Sequence, residues 1–286
     1  MWFALALLTA LFESGKDLFG KKGLQQHADE YVVAWAWRLL ALPFLLPLLW
    51  IFEVRWPGPV FWPALLAGGG LNILTAILYM KAIKASDLSL TVPLVTFTPL
   101  FLLVTSPLML DETPGPAGMV GVILIVAGSY LLNIKERRRG LLAPLKALLG
   151  EPGPRLMLAV ALIWSVTANI DKIGVQASTP LTWAIAVNAF IAVGMLPLVL
   201  WRWRAGRASR TLPWAALLPV GLCGGLTTLC QMTAISLTLV PYVIAVKRLS
   251  ILFSSLAGHL LFGEKGLRER LSGSLLMLSG VVLIIL

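Results

Sequence analysis

Apolar residues run through this chain in stretches of about twenty, separated by short clusters of charge, proline and glycine. At about 1.5 Å per residue, a helix of that length crosses a hydrocarbon layer roughly 30 Å thick. Breaking the pattern at its polar clusters predicts ten helices, at residues 2–19, 31–52, 59–80, 88–110, 116–134, 155–175, 181–201, 212–235, 239–262 and 270–286. A membrane β-barrel would alternate apolar and polar positions in segments of about ten residues. Val120 to Leu132 shows no such alternation. The expected class is an all-α membrane protein.

Composition agrees with the pattern. Of the 286 residues 58% are hydrophobic and 13% charged, with mean hydropathy +0.89, which excludes a soluble enzyme. A formal charge of +10 would suggest nucleic acid as a partner for a soluble chain. Here the basic residues gather in the loops between spans, so no nucleic-acid role is expected. Cys223 and Cys230 lie two helical turns apart, about 10 Å, too far for a disulfide. The first apolar stretch has no basic segment ahead of it and contains Glu13, so it reads as the first span and not as a cleaved signal.

The pattern repeats. At an offset of 152 residues Trp62 matches Trp214, Met80 matches Met232, Glu112 matches Glu264, Gly121 matches Gly273 and Gly128 matches Gly280. Near the start of each half the offset is 151, pairing Ser14, Lys21, Gly23 and Gln25 with Ser165, Lys172, Gly174 and Gln176. The expected organisation is a first repeat over 1–134, a basic linker over 135–154 and a second repeat over 155–286. Five helices per repeat is an odd number, so the two copies insert with opposite orientation, an arrangement that places a site near the midplane at the repeat interface. Seventeen Lys and Arg residues fall in loops on one side of this topology and Arg55 alone on the other. The basic loops are therefore expected in the cytoplasm and both termini outside, in the inner membrane of a bacterium.

Two motifs carry a family resemblance. Ala82 is followed by Asp87-Leu88-Ser89-Leu90 and Pro93-Leu94 at the start of the fourth helix, and an acid (Glu112, Glu264) precedes a glycine-rich helix in both halves. Over essentially its whole length the chain resembles the EamA-type branch of the drug/metabolite transporter superfamily. That resemblance implies ten helices in two inverted five-helix repeats, the first four of each half around a central cavity and the fifth packed outside. On this reading Gly118, Gly121, Gly128, Gly273 and Gly280 serve close helix contact.

Charge at membrane depth is costly, which makes buried ionisable residues the functional candidates. Lys247 and Arg248 stand roughly 12 to 14 Å into the ninth helix, where their repeat counterparts are Val95 and Thr96. A cation pair in one half only is expected where a symmetric scaffold serves an asymmetric ligand. A guanidinium beside an ammonium suits carboxylate or phosphate, and the pair also resembles one that binds phosphate in the plastid sugar-phosphate translocators. The other expected solute contacts are Trp164, Asn169, Gln231, Tyr79, Asn72 and Arg38, which would give a cavity aromatic walls and a few polar groups. Glu13 and Asp171 are expected as counter-ions or coupling groups; Glu13 also matches, by position alone, the proton-exchanging Glu of small multidrug members of the superfamily.

These features point to a secondary transporter of a small polar organic metabolite, anionic or zwitterionic, working by alternating access. Its expected partners are the solute, membrane lipids, and protons or a counter-solute. The alternatives are a proton-coupled exporter of amino acids or cationic compounds using Glu13, and a protein that binds or flips lipid headgroups. There is no phosphate-cradling glycine loop and no visible nucleophile with its base, so neither an enzyme nor a cofactor is expected.

Overall fold

The computed structural model describes residues 1–25, 29–52, 55–133, 142–206, 213–262 and 267–286. Glu264, the start of the basic linker and Ile134, where the first repeat was expected to end, lie outside them. The described residues form thirteen α-helices and no strand: α1 (Trp2–Gln25), α2 (Glu30–Leu45), α3 (Phe61–Ala85), α4 (Leu88–Thr91), α5 (Thr98–Leu110), α6 (Pro116–Asn133), α7 (Ala143–Gly150), α8 (Pro152–Gln176), α9 (Pro180–Arg204), α10 (Trp214–Leu237), α11 (Val240–Lys247), α12 (Ser250–Phe262) and α13 (Leu267–Ile285). Tighter 3-10 turns continue α2 through Leu46–Trp50 and join α4 to α5 through Val92–Phe97. Among the described residues seven segments are long and apolar enough to cross a membrane. The other three expected spans are α1, which carries Glu13, Lys16, Asp17, Lys21 and Lys22, and the shorter apolar stretches of α6 and α13.

Helix starts follow local chemistry. Asp29 accepts from the amides of Tyr31 and Val32 at 3.0 and 3.3 Å to open α2. Thr179 accepts from Thr182 N at 3.1 Å ahead of Pro180 to open α9. The fourth helix of each half, expected over 88–110 and 239–262, is interrupted in both. In the first half Pro93 and Pro99 remove backbone donors, and Thr96 Oγ1 and Thr98 Oγ1 return hydrogen bonds to the carbonyls of Pro93 and Val95 at 2.7 and 2.8 Å. In the second half the ladder breaks at Arg248–Leu249 without a proline, the two amides turning to Ala245 O and Val246 O at 2.9 Å.

The chain forms two compact units that cut across the sequence repeats. One holds residues 1–76 and 170–237; the other holds 77–169 and 238–286. Each therefore draws helices from both halves, and of the three boundaries two fall inside α3 and α8 and one between α10 and α11.

In the first unit α2 runs against α9, its counterpart in the other repeat. Arg202 chelates Asp29 through Nε at 3.0 and 3.1 Å and through Nη2, and its guanidinium lies 4.6 Å from the Tyr31 ring. Trp35 Nε1 donates to Ala192 O at 3.0 Å and Arg38 Nη1 to Asn188 Oδ1 at 3.3 Å. Advancing along one helix while retreating along the other, these contacts make the pair antiparallel.

In the second unit the counterparts α6 and α13 cross through glycine. A Cβ at Gly121 would meet Gly280 O at 2.6 Å, and one at Gly273 would meet Gly128 O at 2.8 Å. Gly121 matches Gly273 in sequence yet packs on Gly280, as an antiparallel pair related by a two-fold axis requires. A buried cluster of Ala82, Leu94, Met157 and Val160 fills the same unit, and Leu145 and Leu148 of α7 pack on it.

Candidate functional site

The first unit contains an ionic cluster. Glu13 and Lys16 sit three residues apart on α1, and Lys16 Nζ donates to Glu13 Oε1 at 2.7 Å. The ammonium lies 4.9 Å from the centroid of the Trp37 ring, and the neighbouring Arg38 guanidinium stacks on the same ring at 3.8 Å. One indole thus serves two cations. Gly224 leaves space for it, since a Cβ there would come within 2.5 Å of the ring. Asp171 and Glu13 supply the negative field at Arg38. Asp171, 7% exposed, accepts a 2.9 Å bond from Trp183 Nε1 through Oδ1, while a glycine at 174 admits the Trp183 ring. Three carboxylates, Glu13, Asp17 and Asp171, thus act on two cations, Lys16 and Arg38, in this cluster.

Asn72 and Gln231 belong to the same unit. Asn72 Nδ2 turns back to Gly68 O at 2.8 Å on its own helix, and Gln231 is buried.

The second unit contains the other predicted residues. Tyr79 and Trp164 stack, with ring centroids 5.9 Å apart and planes 26° from parallel; both pack against the buried cluster around Leu94. Asn169, fully buried, links α8 to α5: its Oδ1 accepts from Ser106 Oγ at 2.7 Å, and its Nδ2 donates to Thr105 Oγ1 at 3.1 Å and approaches Met109 Sδ at 3.6 Å. That geometry ties two helices together. Lys247 closes α11 and Arg248 is its C-cap, where a cation suits the negative end of the helix dipole. Both side chains are half-buried.

The structure thus groups Glu13, Arg38 and Asp171 in one cluster, and Tyr79 with Trp164 in one stack. Sequence reasoning passed over Trp37, Asn188 and Trp183. The Trp37-Arg38 dipeptide inside a predicted span was the available signal for the first. Nothing in the spacing of Arg38 and Asn188, 150 residues apart, announces their contact.

These observations define the class: a helical membrane protein of two repeats, with the equivalent helices α2 and α9, and α6 and α13, packed antiparallel and ionic and aromatic groups held inside the helix packing. The sequence profile of the EamA-like transporter family matches residues 1–134 and again 152–286. The chain belongs to that family, and is therefore a membrane transporter of small solutes. A solved crystal structure shares the fold, with a TM-score of 0.73 at 16% identity over 99% of this chain and 96% of the other. Among curated proteins no sequence matches it.

Proposed function

We propose that the protein is a secondary transporter for a small anionic or zwitterionic metabolite, anchored by Lys247 and Arg248. The observation that carries this reading is the interruption between α11 and α12. Two cations stand there at the break of a helix that the repeat makes a membrane span, where their counterparts are Val95 and Thr96. Broken helices supply polar backbone at membrane depth, and the second half-helix begins at Ser250, with Leu249 alone between it and the pair. The Tyr79–Trp164 stack in the same unit offers an aromatic wall. Asn169 adds a polar group in that unit. In the other unit Gln231, Asn72 and Arg38 are further polar candidates, and Glu13 and Asp171 act as counter-ions to Lys16 and Arg38. The 2.7 Å Glu13–Lys16 pair favours this role over proton exchange with a cationic drug. On the same reading the protein sits in a bacterial inner membrane with its basic loops in the cytoplasm.

The test is thermal stabilisation of purified protein by inorganic phosphate, carboxylates, amino acids and quaternary amines, beside Lys247→Ala and Arg248→Ala. A ligand at a hundred times its Kd stabilises by about 2.7 kcal/mol. Anions are expected to stabilise the wild type and neither variant. Stabilisation by quaternary amines alone, lost in Glu13→Gln, would overturn the assignment in favour of a cation exporter.

A further inference from the structure

The helix that ends in the cation pair does not open with a capping residue of its own. Leu239 occupies the N-cap position of α11 and makes no side-chain cap; the repeat counterpart ahead of α4 is Asp87, a residue type that can cap. The missing acceptor comes from elsewhere in the chain. Glu112, in the corner between α5 and α6, accepts a 2.9 Å hydrogen bond from Val240 N through Oε2.

The corner is shaped for this contact. Asp111 is the one non-glycine residue at positive φ among the described residues, with φ 56° and ψ 25°. This left-handed turn ends α5 and brings the Glu112 amide back to Ser106 O at 3.4 Å. A second contact holds the same end of α11. The Tyr242 hydroxyl lies against Gly118 of α6, in the space any larger side chain would fill.

The helix pinned in this way is eight residues long, so Val240 and Lys247 are joined by about 10 Å of rigid helix. We propose that Glu112 is a positioning residue for the cation pair: by holding the Val240 end of α11 to the α5–α6 corner, it sets where the other end places Lys247 and Arg248. This inference rests on the reading of that pair as the solute anchor. A capping role alone would keep the helix wound; positioning requires that the cap come from the corner.

That difference is measurable without a solute. In full-length protein in lipid nanodiscs, with Cys223→Ser and Cys230→Ser, Lys247→Cys supplies a thiol whose labelling rate by an anionic methanethiosulfonate reports its surroundings. Glu112→Ala is expected to change that rate at least fivefold, and Glu112→Gln, which keeps an acceptor oxygen, to stay within twofold. Adding Leu239→Asp to Glu112→Ala gives α11 its own cap but no tether, and the altered rate is expected to persist. An unchanged rate in Glu112→Ala, or a return to the starting rate with Leu239→Asp, would overturn the proposal. Should Glu112→Ala alone fail to fold, the doubly substituted chain decides by the same criterion. Absence of anion stabilisation would remove the anchor reading and leave this result standing on its own.

Discussion

The crossings α2 with α9 and α6 with α13 pair the same elements of the two repeats, yet they are built from opposite materials. Glycine faces glycine in the second, so that one residue type serves both partners and the backbones come together. The first is held by Arg202 on Asp29, Trp35 on a carbonyl and Arg38 on Asn188. A two-fold crossing repeats each contact on the far side of its axis, so Gly121 on Gly280 returns as Gly128 on Gly273. The Asp29–Arg202 contact does not return, since at the 152-residue offset the positions equivalent to Asp29 and Arg202 hold Leu181 and Trp50. Close backbone approach is kept on both sides of the axis here, and the ion pair on one side only.

The largest effects should come from the glycine crossing. A Leu at Gly121 or Gly128 meets a carbonyl oxygen and a backbone nitrogen of α13, which cannot rotate away as the Ile284 and Met277 side chains beside them can. Gly128→Leu is expected to abolish the monodisperse peak of detergent-solubilised protein in size-exclusion chromatography. A wild-type profile would mean that close approach at this crossing does not hold the second unit together.

Next comes the charged end of α2 and α9. Asp29 is 5% and Arg202 14% exposed at the side chain, and Asp29 also opens α2. Asp29→Ala leaves a half-buried guanidinium without its carboxylate and two amides without their cap, a loss of about 2 kcal/mol, between that of an exposed and a buried pair with the lost cap added. Asp29→Asn keeps the cap and should lose clearly less. Equal melting temperatures for the two variants would show that the cap contributes nothing, and a wild-type melting temperature for Asp29→Asn that the cap alone matters.

This contrast also explains what could be read in the sequence. The repeat was legible through Gly121, Gly128, Gly273 and Gly280 because the α6–α13 crossing demands the same residue on both sides. The polar partners were not, since Asp29 and Arg202 are 173 residues apart and neither keeps its identity in the other repeat. The interruption of the fourth helices was half legible. Pro93 and Pro99 announce the first, whereas the break at Arg248–Leu249 has no proline within it and follows a continuous apolar run. Lys247 and Arg248 were visible as misplaced charge; that they close one helix before another begins was not. Glu112 stood out as a repeated acid, but its hydrogen-bond partner lies 128 residues away.

A smaller effect is expected at the centre of the α2–α9 pair. Asn188 is fully buried, turns its amide to Ala184 O at 2.7 Å and accepts from Arg38 at 3.3 Å. Hydrogen bonds between membrane helices are worth about 0.6 kcal/mol on average. Arg38 keeps its contact with Trp37 and the field of Asp171 and Glu13. Asn188→Ala should therefore lower stability by about 1 kcal/mol. A loss as large as that of Asp29→Ala would make Asn188 the main support of Arg38.

The smallest effect should have the opposite sign. Gly70 lies on α3 with no heavy atom of a neighbouring element within 4 Å of a Cβ built there, and it is exposed. Alanine at this position adds no collision and removes the conformational freedom that glycine gives the unfolded chain, so Gly70→Ala should stabilise by about 0.5 to 1 kcal/mol. Gly121→Ala makes the same chemical change where a carbonyl of α13 stands in the way, and it should destabilise. Melting temperatures of the two variants in one detergent give the comparison directly. If both move in the same direction, helix propensity outweighs packing in this protein, and the glycines of the α6–α13 crossing are not there to let the backbones meet.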